Sequence, residues 1–173
     1  MKLLHAIYSS PKELLAKAEA DGAELLGAVR SQDKARARAA LFNFTVTCYH
    51  VWDWVRAYRP DLDRVATNPL RLHESLAACR DLANASKHAV LTVTRGSYKK
   101  HPPVVEDVVM SAPVSLFRGP SSYAAGVSSG PSSVPPAWRF KVQLTTGRRI
   151  PVEDLVAEAI AAWTDYFARH SIK

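Results

Sequence analysis

Hydrophobic residues in the first half of the chain recur at helical spacing, and those in the second half partly at strand spacing. Leu14, Leu15, Ala18, Leu25, Leu26 and Val29 trace one face of a helix at about 3.6 residues per turn. Ser10-Pro11-Lys12-Glu13 opens it with a serine N-cap, a proline at the first helical position and a glutamate at the third, the pattern of a capping box. Gly22 weakens the middle by roughly 1 kcal/mol relative to alanine and points to a close helix contact. Asp33 caps a second helix that runs to Tyr58 and stops at Pro60. Phe42, Val46 and Tyr49 lie on one side of this helix, and Phe44, Cys48, Val51, Trp52 and Val55 on the other. The pattern predicts a helix buried on nearly all sides. Asn68-Pro69 starts a third helix, which the periodicity carries through to His88.

The period then changes. Val90, Thr92 and Thr94, next Val104–Met110, then Trp138–Leu144 read as strands, the last by clear alternation. Ser111 to Ala137 is rich in Ser, Pro and Gly and reads as a flexible loop. Thr145-Thr146-Gly147-Arg148 is a turn, and Arg149-Ile150 a short return strand. A last helix from Val152 carries Leu155, Val156, Ala159, Ile160, Trp163 and Phe167, the most regular amphipathic stripe in the chain. The expected fold is mainly α (α+β): a four-helix bundle with a small antiparallel β insertion, 89–151, between helices 3 and 4. Residues 1–173 form one domain, with the flexible loop at 111–137.

Composition narrows the class. At 173 residues, 47% hydrophobic and 23% charged, the chain reads as one globular domain with a sufficient core. The first residues are too short for a secretory signal. The longest uncharged apolar run, Ala39 to Trp52, is broken by Asn43, Thr45, Thr47 and His50, so no membrane span is expected and the protein is placed in the cytoplasm. A net charge of +7 favours polyanionic partners, although the basic residues are scattered. Cys48 and Cys79 read as free thiols packed as small hydrophobes. Neither has the setting of a nucleophile. No phosphate loop, dinucleotide fingerprint or zinc-finger spacing occurs.

Candidate chemistry sits at the end of the third helix. Arg80, Asn84, Lys87 and His88 share one side, with His73 two turns earlier, beside an apolar stripe of Leu72, Leu76, Cys79 and Ala83. An imidazole near a guanidinium suits ribonuclease chemistry: His88 moves a proton near neutral pH, and Arg80 holds the phosphate and its developing charge. Asn84 orients the imidazole or the substrate. In the structural reading of the same residues, Asn84 and His88 pin the helix by hydrogen bonds, and Lys87 and His88 cap its last carbonyls. On the second helix, His50 and Asp53 are surface neighbours at i, i+3. They serve either as a general base or metal ligand with its carboxylate or as a satisfied core pair. A di-iron bundle needs paired Glu-x-x-His motifs, which the chain lacks, so neither a metal nor a cofactor is expected.

The run Tyr49-His50-Val51-Trp52-Asp53-Trp54, the helix ending Arg80-Asp81-Leu82-Ala83-Asn84-Ala85-Ser86-Lys87-His88, the β segment and the closing helix with Trp163 resemble a set of uncharacterised bacterial proteins. Their organisation is in turn similar to the HEPN superfamily of helical bundles. The resemblance covers Asp33 to His88 and Val152 to Phe167. It implies an RNA-binding protein or metal-independent endoribonuclease of a toxin–antitoxin or phage-defence system. It further implies a homodimer with the two motifs facing across the interface, and an antitoxin or other protein partner. Arg80 matches the motif's arginine, Asp81 the polar residue after it and His88 its histidine, at a spacing one residue beyond the family's usual limit. On this reading Arg80, Asn84 and His88 are catalytic, while Lys87, Asp81, His50 and Asp53 hold the substrate. Relatives that have lost activity persist as binding modules, so the alternative is a non-catalytic helical-bundle interaction module.

Overall fold

The computed structural model describes residues 7–87, 104–110, 137–143 and 147–172. Helix α1 (Pro11–Arg30) begins as its sequence requires, with Ser10 Oγ accepting from the Glu13 backbone N–H at 3.2 Å. The glutamate answers one residue further back than a simple capping box: its carboxylate accepts from Ser9 Oγ at 2.6 Å and from the Ser9 N–H at 2.7 Å. These bonds hold the Glu13 carboxyl below its ordinary range. At the other end, Asp33 N–H donates to Ala28 O and Gln32 N–H to Val29 O, both at 3.0 Å, the bond pair of a Schellman motif. Gln32 takes the left-handed position usually given to glycine, at φ 59°.

Helix α2 (Lys34–Tyr58) follows at once, capped by Asp33, whose carboxylate accepts from the Arg36 N–H at 3.0 Å. Arg36, on the wrong end of the dipole for its sign, reaches across the turn and grips Glu24 of α1 through two bonds of 2.6 and 2.9 Å. A second tie joins the same helices further along, where the Thr47 hydroxyl donates to Asp21 at 2.6 Å and accepts from Lys17 at 3.0 Å. The outer face of α2 differs from expectation. Phe42 is 49% exposed, and Val46 and Tyr49 are only half-buried. The helix faces the core with Leu41, Phe44, Cys48, Val51, Trp52 and Val55 among its buried residues, on the side that α1 and α4 cover.

The predicted third helix is two. Helix α3 (Pro69–Leu72), capped by Asn68 at 2.9 Å from the Leu70 N–H, ends at His73, which is extended at φ −118°, ψ 125°. Helix α4 (Glu74–Lys87) then restarts, with Ala77 N–H donating to His73 O at 2.9 Å. The break rotates Leu72 out of the apolar stripe, and it is 58% exposed, whereas Leu76, Cys79 and Ala83 are buried. His73 itself is half-buried at this break.

Strands β1 (Val104–Met110), β2 (Ala137–Gln143) and β3 (Arg149–Pro151) form an antiparallel sheet in that order. The pairs Val104↔Gln143 and Met110↔Ala137 close the β1–β2 hairpin at its two ends, and Val142↔Ile150 centres the second. Gly147, in the turn between β2 and β3, has φ 88° and needs its missing side chain. Phe140, Val142 and Ile150 point inward while Arg139 and Arg149 face out, the alternation of a half-buried sheet. The expected strand over Val90–Thr94 and the Ser/Pro/Gly-rich loop lie outside the described residues.

Helix α5 (Val152–Arg169) supports both layers: it packs on β2 and β3 and on α1, α3 and α4. Its residues Val152, Leu155, Val156, Ala159, Trp163 and Phe167 are all buried, as the stripe predicted. Trp163 meets Tyr166 and Phe167 edge-on at 5.9 and 6.2 Å between ring centroids, and Tyr166 meets Trp52 of α2 at 6.1 Å. Edge-to-face contacts of this kind add about 0.5–1.5 kcal/mol each beyond area burial. The chain is thus mainly helical with a small antiparallel sheet, and no helix among the described residues is long and apolar enough to cross a membrane.

Two positions give direct tests. A Cβ on Gly22 would lie 2.9 Å from Val156 Cγ1 and 3.3 Å from Phe44 Cε2, so this glycine marks the close approach of α1, α2 and α5. Gly22→Ala should lower unfolding stability by about 1–3 kcal/mol through overpacking, against the sign of helix propensity, in denaturant titration. Gln32→Gly should raise it by about 0.5–1 kcal/mol, the left-handed penalty less the extra unfolded-state freedom of glycine.

Candidate functional site

The break at His73 frees the last carbonyls of α3, which no longer have partners along a continuing helix. Arg80, one element later, takes one of them: its Nη1 donates to Leu70 O at 3.0 Å. Its Nε donates to Asp81 Oδ1 at 2.7 Å. Asp81 is 0% exposed, and the Arg80 side chain keeps 20% of its surface. A carboxylate that deep needs a cation beside it, and the guanidinium fork serves both acceptors at once. Asp81 Oδ2 is buried with no hydrogen-bond partner. The pair is therefore a latch across the α3–α4 corner, and the carboxylate expected to hold substrate is shut away from solvent.

Asn84 is half-buried on α4. Lys87 closes the described part of α4, and its side chain and the whole of His88 lie outside the described residues. His50, expected in the core, has a side chain 43% exposed, with Nδ1 4.0 Å from Asp53 Oδ2. Asp53 approaches Arg56 at 3.9 Å, and Arg56 pairs with Asp63 at 2.9 Å, so Asp53 begins a surface chain of alternating charge, while His50 Nε2 is buried with no hydrogen-bond partner. The position of Asp53 on the outer side of α2 follows from the same one-sided burial that exposes Phe42. The Asp63 hydrogen bond raises the Arg56 guanidinium above its ordinary range.

The cysteines, distant in sequence, meet. Cys48 of α2 and Cys79 of α4 are both buried and in hydrogen-bond contact, and burial foremost, then that contact, pushes the Cys48 thiol well up. Such a thiol stays protonated and makes a poor nucleophile. Helical register brings them together, and a sequence read helix by helix carries no signal for it. A cavity of about 550 Å³ was also missed. It lies among His73, Glu74, Arg148, Glu158 and Asp165, where Arg148 of the β2–β3 turn bridges Glu74 at 3.1 Å and Glu158 at 3.3 Å. Among the described residues no three His, Cys, Asp or Glu side chains gather as a metal site would require.

Comparisons with protein-family models, with curated proteins and with solved structures return no match.

The latch has a measurable signature. Arg80→Ala strands the Asp81 carboxylate and should cost about 3 kcal/mol, at the lower end of the range for a broken buried pair because the guanidinium is partly exposed. The double variant Arg80→Met/Asp81→Leu should recover most of that loss in thermal unfolding. A double variant as unstable as the single would mean that the pair is not the source of the effect.

Proposed function

We propose that this chain is a non-catalytic interaction module: a four-helix bundle of α1, α2, α4 and α5, HEPN-like in organisation, with its sheet inserted before the last helix. The observation that carries this reading is the double commitment of Arg80 to Asp81 and to Leu70 O. A guanidinium meant for a phosphate must present its fork to the ligand. This one spends Nε and Nη1 inside the protein, and the neighbouring carboxylate would repel a phosphate brought to it. Arg80 and Asp81 thus take a structural role at the α3–α4 corner.

A metal-independent endoribonuclease or RNA-binding protein is the second reading. It is supported by the third guanidinium nitrogen, Nη2, which has no partner among the described residues, and by the net charge of +7. On that reading His88 supplies proton transfer and Asn84 orients the reacting groups, with His50, Asp53 and Lys87 along the RNA.

Metal-free incubation of single-stranded RNA with wild type, His88→Ala and Asn84→Ala separates the two. The interaction-module reading expects the same background cleavage in all three. A wild-type activity that falls by about 100-fold or more in His88→Ala, with the melting temperature unchanged, would overturn it in favour of the nuclease.

A further inference from the structure

Cys48 of α2 and Cys79 of α4 are both 0% exposed, and their thiols are in hydrogen-bond contact, so the two sulfurs face each other directly. Phe44, Val51, Val55 and Leu76 are fully buried in the same core. An interior of this kind disfavours a thiolate. A metal ion held between the two sulfurs would need both of them deprotonated. A disulfide is neutral and has no hydrogen-bond donor to satisfy, so the core accepts it without an added charge.

Neither sulfur reaches solvent in the closed fold, so any reaction waits on an opening. Cys79 directly precedes Arg80 and Asp81, whose latch ties that stretch of α4 to the carbonyl of Leu70. Helix α4 cannot carry Cys79 outward without breaking those bonds.

We infer that Cys48 and Cys79 are a dithiol that closes into a disulfide between α2 and α4, and that the Arg80–Asp81 latch gates the reaction. The oxidant is a small-molecule disulfide of the glutathione kind. In the opened state the Cys79 thiolate attacks it, forms a mixed disulfide and releases one small thiol, which takes up the proton. As α4 returns, the Cys48 thiolate, still in contact with water, attacks Cys79 Sγ and expels the second small thiol with the second proton. Two electrons pass from the pair to the oxidant, which leaves as two thiols. The bond closes a loop that contains the rest of α2 and all of α3, and removes that loop's freedom from the unfolded chain. It holds α4 against α2, and reburial shields it from reductants as it shielded the thiols from oxidants.

Incubation of the full chain with oxidised glutathione tests this, with free thiols counted by maleimide tagging after denaturation. Wild type should lose both thiols together and give a monomer lighter by two hydrogens, with a Cys48–Cys79 linked peptide in its proteolytic map. Its melting temperature should rise by about 5–10 °C and fall back on reduction with dithiothreitol. Arg80→Ala, at a temperature where it is still folded by circular dichroism, should lose its thiols at least about tenfold faster than wild type. Gly22→Ala, weakened where α1, α2 and α5 meet and away from α4, should oxidise at the wild-type rate. Thiols that persist in both wild type and Arg80→Ala, a stable glutathione adduct or an intermolecular cross-link as the product, or an oxidised protein that melts no higher than the reduced one would each overturn the disulfide. An Arg80→Ala variant no faster than wild type, or Gly22→Ala accelerated as much as Arg80→Ala, would overturn the gate.

Discussion

A carboxylate at zero exposure governs the middle of this chain. Asp81 can remain charged in the interior only beside a cation, and Arg80 is that cation. Its planar fork has a second edge to satisfy, and the carbonyl of Leu70 is available only because α3 stops at His73. The break, the buried acid and the inter-helix bond are thus one arrangement. Without the break Leu70 O would be taken up by its own helix, and Arg80 would have less reason to turn inward. The corner they make directs Leu76, Cys79 and Ala83 into the interior and brings Cys79 against Cys48 of α2.

The local rules of helix and hairpin were legible in the sequence. Ser10, Asp33 and Asn68 cap where they were expected, α5 buries the residues its stripe named, and Gly22 sits at a helix contact. What escaped was decided by partners far away in the chain. No Gly or Pro marks His73, and the apolar period runs through it unbroken, so the kink is invisible until Arg80 is seen holding Leu70. Asp81 carries no sign of its burial either, since a charged residue in a helix normally points to water. The one-sided burial of α2 depends on which neighbours cover it. Its apolar outer residues, Phe42 above all, misled a count of hydrophobic positions.

The same distinction explains the candidate site. Arg80, Asp81 and Asn84 were chosen as residue types capable of chemistry, and type is what a sequence displays. Commitment is a matter of geometry, and here it assigns two of those residues to holding a corner together. Asp53 is placed on the surface by the face of α2 it occupies, in a screened chain of charges where each pair contributes little.

The register of the β1–β2 hairpin has a consequence for how this chain tolerates change. Met110 and Ala137 are directly opposed across the ladder, so the long connection between them leaves and re-enters the fold at adjacent points. Closing a loop costs entropy that grows only with the logarithm of its length, about 0.6 kcal/mol for each doubling. Lengthening or shortening the connection between these strands therefore changes its closure entropy only slightly.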